Sequence, residues 1–394
     1  MQPTERFYEA DAYRTSASSV ITAALPLEGG GGRIALAGTV FYPEGGGQPA
    51  DRGVLTLPGG ASLAVTGVHE KEGVIWHRVD RLPPDAAPGV PVDQQIDWAW
   101  RFDKMQQHTG EHILSGTLHR LFGAENVGFH IGSPYVRMDT SIPLTAEQLA
   151  EAEAQANAAV RADTSVRCYV PDPDTLAHTE YRSKKELEGP VRLVEAGGDR
   201  CACCGTHLAR TGEVGLIKIV SSQHYKGGMR LAVACGQRAY DAVATGWADA
   251  EAAGRRLSAP VGSLEAAVTR LQGGEAQLKQ RLADLQNALA TACAAAAKPS
   301  VPCTLWAAGA DGDGLRRIAL AVAAETGAVC CALAPGGQGL AYALAAAPAG
   351  DVRSLCKALN QAFDGRGGGK PTFCQGSLAR GSEAEIHAFL TETL

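Results

Sequence analysis

The sequence lacks the signals that direct a chain into or across a membrane. Its 394 residues contain no run of about 18 apolar residues, which a membrane-spanning helix needs. The N-terminal segment MQPTERFYEADAY is polar and mixed in charge, whereas a signal peptide carries an apolar core. We therefore expect a cytoplasmic protein with no membrane span.

An excess of basic side chains is also missing. The chain has 36 Lys and Arg against 42 Asp and Glu, which gives a net charge of -6. A nucleic-acid partner must then be held by local patches, because the overall field does not attract it. The sequence contains no Walker loop, which leaves nucleotide hydrolysis without support, and no Asp-His-His triplet, which disfavours a DHH phosphoesterase.

Cysteines are present without the pattern of a disulfide framework. The 11 cysteines are thinly spread, and the one cluster consists of Cys201, Cys203 and Cys204. In a chain without a secretion signal, this distribution favours reduced thiols and a metal site.

The apolar pattern predicts an α+β multidomain fold with four regions. Residues 1–95 carry short apolar runs broken by Gly and Pro, which predicts a small β-rich domain that ends in a proline-rich connection, RLPPDAAPGVPVDQQ. Residues 96–246 mix helical and strand-like patterns, as in an α+β domain. Residues 247–299 predict a long helical arm, and residues 300–394 predict a small α/β domain.

Two helices are expected in the second region. Apolar residues recur at helical spacing from Trp100 to about Arg120, which predicts a buried helix. The other helix is expected over residues 145–162, with Thr145 as its N-cap and Gln148 completing a capping box.

The arm is expected to be one helix over residues 258–298, with Ser258 as N-cap and Pro260 in the first turn. Its apolar residues follow a heptad pattern that only Glu275 interrupts. They are Leu264, Val268, Leu271, Leu278, Leu282, Leu285 and Leu289. Such a seam is typical of an antiparallel or dimeric helix pair, and a helix packed on its own chain is the alternative.

The strongest chemical signal is two pairs of potential metal ligands. His108 and His112 are four residues apart on one face of the predicted helix, so both imidazoles can reach one ion. Cys203 and His207 are also four apart, in a turn that contains glycine. Three nitrogens and one thiolate suit zinc, although either neighbouring thiol of the cysteine cluster could replace Cys203. The pattern does not distinguish a structural from a catalytic site.

A second interpretation uses the same helix. The segment His-Thr-Gly-Glu-His matches the inverted zinc-peptidase pattern, in which Glu111 would be the general base and Glu186 or Glu188 the third ligand. That pattern is short, and it leaves the segment CCGTH unexplained.

Two glycine runs carry polar neighbours. The first consists of Gly45, Gly46, Gly47 and Gln48. A surface hairpin loop is its plainest interpretation. In the second, Arg366 and Lys370 flank three glycines, so exposed backbone N–H groups and two cations could together meet phosphates. A flexible loop is the alternative there.

Five segments, taken in order, resemble the editing half of alanyl-tRNA synthetase and its free-standing relatives, the AlaX trans-editing proteins. The segments are FYPEGGGQPADRG, QQHTGEHILSGTLHRLFG, CCGTHLARTGEVG, KGGMRLAVACG and DGRGGGKPTFCQGS. Each is modest alone, but five in the family's order are specific, and together they indicate the long form of the family. One departure stands out: Cys204 replaces a glycine of the family's second ligand motif.

The resemblance implies a glycine-rich β-barrel before a zinc-bearing editing domain, then a helical arm and a C-terminal domain related to that of DHH phosphoesterases. It places zinc ligands at His108, His112, Cys203 and His207, which would also carry the catalysis. The implied reaction is hydrolysis of the ester of seryl-tRNA(Ala), with glycyl-tRNA(Ala) as a second candidate substrate.

The resemblance also implies where substrate is held. It places Phe129 and His130 in the amino-acid pocket and the Gly45 to Gln48 loop near the tRNA acceptor end, whereas a semi-buried histidine without such a role is the alternative for His130. It assigns the C-terminal domain to tRNA binding and homodimerisation, and we expect Arg366 and Lys370 to contact tRNA.

Two further expectations complete the sequence analysis. The editing-like motif begins near residue 41, which leaves no room ahead of it for an aminoacylation domain, so a full synthetase is not expected. A tRNA-binding module with a structural zinc and no activity remains an alternative. Under the editing hypothesis, replacing Glu111 has a modest effect, whereas under the peptidase hypothesis it abolishes activity.

Overall fold

The computed structural model describes residues 2–28, 30–183, 189–298, 302–337 and 339–394. Its contacts divide into two compact units, Met1–Ala250 and Glu251–Leu394. Among the helices within these ranges, none combines the length and the apolar character that crossing a bilayer requires.

The first unit begins with a closed β-barrel. The elements of this part are β1 (Glu5–Arg6), α1 (Phe7–Ala10), β2 (Ser16–Pro26), β3 (Gly32–Leu36), β4 (Gly38–Thr39), β5 (Gly53–Thr56), β6 (Ser62–Lys71), β7 (Val74–Val79) and β8 (Pro91–Ile96). The barrel order is β2-β3-β7-β6-β5-β8, and β8 closes it by pairing antiparallel with both β2 and β5. Because alternate strand residues point inward, Ile34, Leu55 and Ile75 are fully buried in its core.

The proline-rich stretch before residue 95 is more than the expected connection. Its last residues form β8, a barrel strand whose Val92, Gln94 and Ile96 face inward. Proline is tolerated because Pro91 is the first residue of the strand, a position that suits proline's missing N–H. The expectation that this stretch is a connection was therefore wrong for its last residues.

Helices and a second sheet follow the barrel. The elements are α2 (Trp98–Phe122), β9 (Asn126–Ile131), β10 (Val136–Thr140), α3 (Ala146–Arg161), β11 (Arg167–Tyr169), α4 (Pro173–Ala177), β12 (Leu193–Ala196), β13 (Asp199–Ala202), a 3-10 helix (Thr211–Val214), β14 (Ile217–Tyr225), β15 (Gly228–Cys235) and α5 (Gln237–Leu257). One sheet has the order β14-β15-β10-β9, and a smaller one has the order β11-β12-β13. Apolar side chains of α2, including Met105, Ile113 and Leu114, form a core with those of α3 and the larger sheet.

Both helices expected in this region are confirmed. Helix α2 is capped by Asp97, which accepts a hydrogen bond from the Trp100 backbone N–H, and it ends at Gly123 in the left-handed conformation. Helix α3 has the expected capping box between Thr145 and Gln148.

The second unit contains a five-stranded sheet with helices on both faces. Its further elements are a 3-10 helix (Val261–Ser263), α6 (Leu264–Ala296), β16 (Cys303–Trp306), α7 (Gly312–Thr326), β17 (Cys330–Gly336), β18 (Gly339–Ala345), α8 (Arg353–Ala362), β19 (Arg366–Lys370), β20 (Phe373–Leu378) and α9 (Glu383–Thr393). The strand order is β16-β17-β18-β20-β19, in which only β16 and β17 are parallel. Helix α7 and the end of α6 pack on one face, and α8 and α9 pack on the other.

The long arm helix does not start where the sequence predicted. Ser258 follows the last residue of α5 and adopts a positive φ of 50°, so it terminates one helix and does not cap the next. Pro260 precedes the short 3-10 turn, and α6 begins only at Leu264. Helix α5, which the expected boundaries cut in two, was missed.

The heptad seam of α6 is exposed in a single copy of the chain. Leu271, Leu278 and Leu285 are 61%, 70% and 62% exposed, whereas Ala290 and Ala294 near the end of the helix are buried against the sheet unit. The alternative of a helix packed on its own chain therefore holds for the end of α6, whereas the heptad leucines are left uncovered.

The second glycine run is also more regular than a flexible loop. Arg366 to Lys370 form β19, an edge strand paired antiparallel with β20, and all five residues are exposed. Because strand side chains alternate, Arg366 and Lys370 lie on the same face of β19 with Gly368 between them.

Candidate metal centre

Four side chains from two segments converge in the first unit. His108 and His112 lie on α2, and Cys203 and His207 lie in the segment after β13. Their ligand atoms all lie within 4.8 Å of one another. The structure thus brings together the four residues that the sequence singled out, and Cys203, not Cys201 or Cys204, is the thiol of the group.

The ring contacts of the histidines show how tightly the group is packed. The His207 ring centroid lies 4.5 Å from that of His108 and 4.7 Å from that of His112. The Cys203 Sγ lies 3.4 Å from His108 Nε2 and 3.5 Å from His207 Nε2. Three imidazoles and a thiol at these separations are a donor set that fits zinc.

Two histidines are oriented by polar side chains outside the group. The Gln48 Oε1 lies 2.8 Å from His108 Nδ1, and because this amide oxygen only accepts, His108 must donate from Nδ1. Thr109 Oγ1 lies 3.2 Å from His207 Nδ1. In both rings the Nε2 atom therefore faces Cys203. Hydrogen bonds from outside a metal site orient its histidine ligands in the same way.

Gln48 reaches this position from the first glycine run. Its Oε1 also accepts from the Thr206 backbone N–H at 3.2 Å, and its Nε2 donates to Thr206 Oγ1 at 2.8 Å. The expected hairpin turn is present, because Gly45 and Gln48 exchange backbone hydrogen bonds at 3.1 and 2.9 Å and Gly46 is exposed at the tip. Gln48 itself is 1% exposed, so its side chain is an internal support. Gly47 makes the approach possible, since it has a φ of +86° and a Cβ there would lie 2.7 Å from the Phe129 ring.

A buried ion pair fixes the same run to α2. Arg101 donates from Nε to both carboxylate oxygens of Asp51 at 2.9 Å, and its Nη2 contacts the same carboxylate. Arg101 is 0% and Asp51 1% exposed. Arg101 also donates to the carbonyls of Val40 and Ala12 at 2.6 and 2.9 Å, so the pair has well-matched partners at the start of the helix that carries the histidines.

The segment that carries Cys203 is held by Arg192 and by close packing. Arg192 Nη1 donates to the carbonyls of Cys203 and Gly205 at 2.9 and 3.0 Å. Glycine is required at position 205, since a Cβ there would lie 2.2 Å from the His108 ring. The sequence offered no signal for Arg192, because it lies 11 residues from the thiol that it supports.

Burial sets the electrostatics of the group. Desolvation raises the pKa of the Cys203 thiol to about 12, and desolvation together with the neighbouring His108 and His112 lowers the pKa of His207 well below its usual value. His207 is therefore neutral at pH 7, the form that binds metals. Binding of a metal would release the thiol proton, since thiolate is the ligand form.

The group lies on the wall of a cavity of about 400 Å³. Its described lining combines polar side chains of α2 with the apolar groups of Phe129, Pro190 and Val191. The Phe129 ring stacks on His108 with centroids 5.2 Å apart. A cavity of this size accommodates a small polar ligand beside the four donor atoms.

Comparison with known proteins agrees with this geometry. Residues 191–231 match the family model of the threonyl and alanyl tRNA synthetase second additional domain, and residues 18–100 match that of tRNA synthetases class II (A). The chain is 33% identical over 210 residues to the alanyl-tRNA editing protein AlaX-L of Pyrococcus horikoshii, over 52% of each chain. The resemblance to alanyl-tRNA editing proteins is confirmed.

Two alanine–tRNA ligases are similar as well. The ligase of Halobacterium salinarum is 37% identical over 61% of this chain and 27% of its own length. That of Pyrobaculum neutrophilum is 32% identical over 94% of this chain and 42% of its own length. The chain thus spans about half the length of AlaX-L and less than half of these ligases.

The resemblance to editing proteins placed both Phe129 and His130 in the amino-acid pocket, but these two neighbours lie on opposite faces of β9. Phe129 and Gly46 line the cavity, but His130 does not belong to its described lining. His130 is exposed and pairs across the sheet with Arg137, on the face opposite Phe129. Because successive strand residues face opposite ways, one of the two had to point away.

The peptidase interpretation needs Glu111 as the base and Glu186 or Glu188 as the third ligand, and the structure describes only Glu111. Glu111 lies in α2 and lines the cavity. Glu186 and Glu188, the expected third ligands, lie outside the described residues. The observed group uses Cys203 and His207 beside the two α2 histidines.

Proposed function

We propose that the chain is a trans-editing hydrolase that cleaves the ester of seryl-tRNA(Ala), and of glycyl-tRNA(Ala) to a smaller extent. The observation that carries this proposal is the group of His108, His112, Cys203 and His207 at the wall of a cavity of amino-acid size. The similarity to AlaX-L supports the choice of substrate.

The four residues of the group would hold zinc. When bound there, zinc would supply a Lewis acid for the ester carbonyl, a water of lowered pKa or a clamp for the substrate amine. Gln48 and Thr109 keep two of the imidazoles in the ligating orientation. Phe129 and the other apolar lining groups would pack against the aminoacyl group.

The reaction is an ester hydrolysis. Water adds to the ester carbonyl carbon, the bond to the ribose oxygen of the terminal nucleotide breaks, and that oxygen takes a proton. Free serine and tRNA leave.

A hydrolytic site separate from the site that attaches alanine to tRNA is needed for a physical reason. A pocket that accepts alanine cannot strongly reject a molecule that only adds a hydroxyl. A site that hydrogen-bonds the seryl hydroxyl, in contrast, leaves a buried polar group unpaired when alanine enters, which costs roughly 1 to 3 kcal/mol. Correctly charged alanyl-tRNA would be spared.

The second unit would hold the tRNA and a second copy of the chain. Arg366 and Lys370 present two cations on one face of β19, which suits contacts with the phosphate backbone. The exposed heptad leucines of α6 suit a helix pair with a second copy, so we propose a homodimer.

The test compares the hydrolysis of seryl-tRNA(Ala) and alanyl-tRNA(Ala) by the zinc-loaded protein. We expect rapid release of serine, little release of alanine, and loss of activity in a Cys203→Ala, His207→Ala double variant. Cys168→Ala is the matched control, because this exposed thiol lies outside the group and outside the described cavity lining, and its loss should leave both zinc content and activity unchanged.

Failure would take a recognisable form. If the folded, zinc-loaded protein binds tRNA but hydrolyses neither charged form, the chain is a binding module with a structural metal. If Glu111→Gln alone abolishes hydrolysis while zinc is retained, the roles assigned here are wrong and the peptidase-like role of Glu111 takes their place.

A further inference from the structure

The face of α2 that carries the two histidines also carries an acid. His108, Glu111, His112 and Ser115 occupy one stripe of the helix, and all four line the cavity. Glu111 is only 3% exposed. Its carboxylate is therefore enclosed in the space next to the proposed metal and not in bulk solvent.

The charge of Glu111 is not matched by an ion pair within the described ranges. Its Oε1 accepts a hydrogen bond from Asn126 Nδ2, which is a neutral donor. Arg182 also lines the cavity, but its guanidinium donates to the two carboxylate oxygens of Asp199 at 2.7 and 2.6 Å and to Ser115 Oγ at 2.9 Å. Arg182 is thus bonded to Asp199, and it attracts Glu111 only from a longer distance, without a bond.

Enclosing a carboxylate without a bonded cation is costly unless a ligand supplies the opposite charge. Glu111 is also the one acidic side chain on the described lining of the cavity. The lining also includes the apolar groups of Phe129, Pro190 and Val191. Arg182 and Arg192 line the cavity as well, so Glu111 is the side chain of the described lining that a cationic group of a ligand would contact.

An aminoacyl ester carries one such cationic group, because esterification removes the carboxylate and leaves the α-ammonium group. We propose that Glu111 binds the α-ammonium group of the aminoacyl moiety and so orients its ester toward the metal group. The proposal rests on the proposed function, which it extends by naming the residue that distinguishes a free aminoacyl group from an N-blocked one.

Asn126 would act as a positioning residue for Glu111. While its Nδ2 donates to Glu111, its Oδ1 accepts from the Gly128 backbone N–H at 3.1 Å. Asn126 is buried at the start of β9, the strand that carries Phe129. It therefore links the acid on the helix to the strand that carries Phe129.

The experiment measures kcat and KM for seryl-tRNA(Ala) and for N-acetyl-seryl-tRNA(Ala), which lacks the ammonium group. Because a hydrogen bond to a charged group is at stake, we expect wild type to favour the free amine by roughly 10- to 100-fold in kcat/KM, mostly through KM. Glu111→Gln should lose this preference and hydrolyse the N-acetyl substrate as fast as wild type does. Glu125→Gln, which alters an exposed acid just beyond the helix, is the matched control.

Two results would overturn the proposal. In the first, Glu111→Gln reduces kcat/KM equally for both substrates at unchanged zinc content, which indicates that Glu111 acts on water or metal. In the second, Glu111→Gln reduces kcat/KM for neither substrate.

A stable analogue separates this proposal from the function on which it rests. Calorimetry with 3′-deoxy-3′-serylaminoadenosine and its N-acetyl form needs no hydrolysis. Tighter binding of the free amine by wild type, lost in Glu111→Gln, upholds the role of Glu111 even if neither charged tRNA is cleaved. Equal binding of the two forms by wild type overturns it.

Discussion

The two glycine runs of this chain look alike in sequence and are used in opposite ways. In the first, three glycines lead to Gln48 and Asp51, which are both 1% exposed. In the second, every residue from Arg366 to Lys370 is exposed on an edge strand. The first run directs its polar neighbours into the first unit, whereas the second forms a surface of the second unit.

The difference lies in the partners of the polar neighbours. Gln48 contacts His108, and Asp51 pairs with Arg101, so the first run fixes the candidate metal centre from inside. Within the described ranges, the side chains of Arg366 and Lys370 form no ion pair, so they remain available to a ligand. A glycine run beside polar residues therefore does not predict a binding loop by itself.

Removing Asp51 should break the first run most severely. In Asp51→Ala the buried guanidinium of Arg101 loses its ion-pair partner, and we expect the unfolding free energy of the first unit to fall by about 3 to 5 kcal/mol. Urea unfolding followed by tryptophan fluorescence measures this change. Arg366→Ala, in the second run, should change the stability of its own unit by less than about 0.5 kcal/mol. Similar losses in both variants would remove the distinction between the runs.

Acid should also distinguish the two regions, because the barrel next to the first run encloses a histidine. His77 is fully buried, with Thr39 Oγ1 at 2.8 Å from Nε2 and the Ile34 carbonyl at 3.0 Å from Nδ1. Burial, with a smaller contribution from the nearby His69, lowers its pKa to about 4. Unfolded chains bind this proton near pH 6.5, so stability is complete above that pH and falls as the pH drops from 6.5 toward 4.

The expected loss between pH 7 and pH 5 is about 2 kcal/mol for the first unit. His77→Gln cannot take up the proton, and a plot of its unfolding free energy against pH should be flatter than that of wild type over this window. An unchanged slope in the variant would show that His77 does not control the acid response.

Local sequence patterns predicted the local features of this molecule. The spacing of His108 and His112 placed both on one face of a helix, and the capping box at Thr145 predicted the start of α3. These features depend on residues three or four positions apart, where the periodicity of a helix dictates the geometry.

Features that depend on distant partners were not predicted. Gln48 and His108 are 60 positions apart, and the sequence around either residue does not specify the contact. The start of α6 was misplaced because Ser258 is a good N-cap residue, yet here it ends α5 with a positive φ. The phase of β9, which directs Phe129 inward and leaves His130 exposed, depends on packing against α2.

Gln48→Ala should weaken the metal centre without unfolding it. Without the amide oxygen, His108 is no longer held with Nε2 toward Cys203, and we expect zinc affinity to fall by roughly 10- to 100-fold. Competition with a chromogenic chelator measures this affinity. Gln223→Ala, on the exposed part of β14, is the control and should bind zinc as wild type does. Unchanged affinity in Gln48→Ala would mean that the first run supports the fold alone.

The second run should respond through ligand binding and not through stability. Replacing both Arg366 and Lys370 by Ala should reduce the slope of log K for tRNA against log salt by about 1 to 2, because two phosphate contacts are lost. Gly368→Ala sharpens the test, since a Cβ there meets no atom within 4 Å and the strand can accept it. If the added methyl group reduces tRNA affinity while the fold is unchanged, the backbone between the two cations also approaches the phosphates. If none of these changes alters tRNA binding, β19 is an ordinary edge strand, and only the first glycine run serves the proposed reaction.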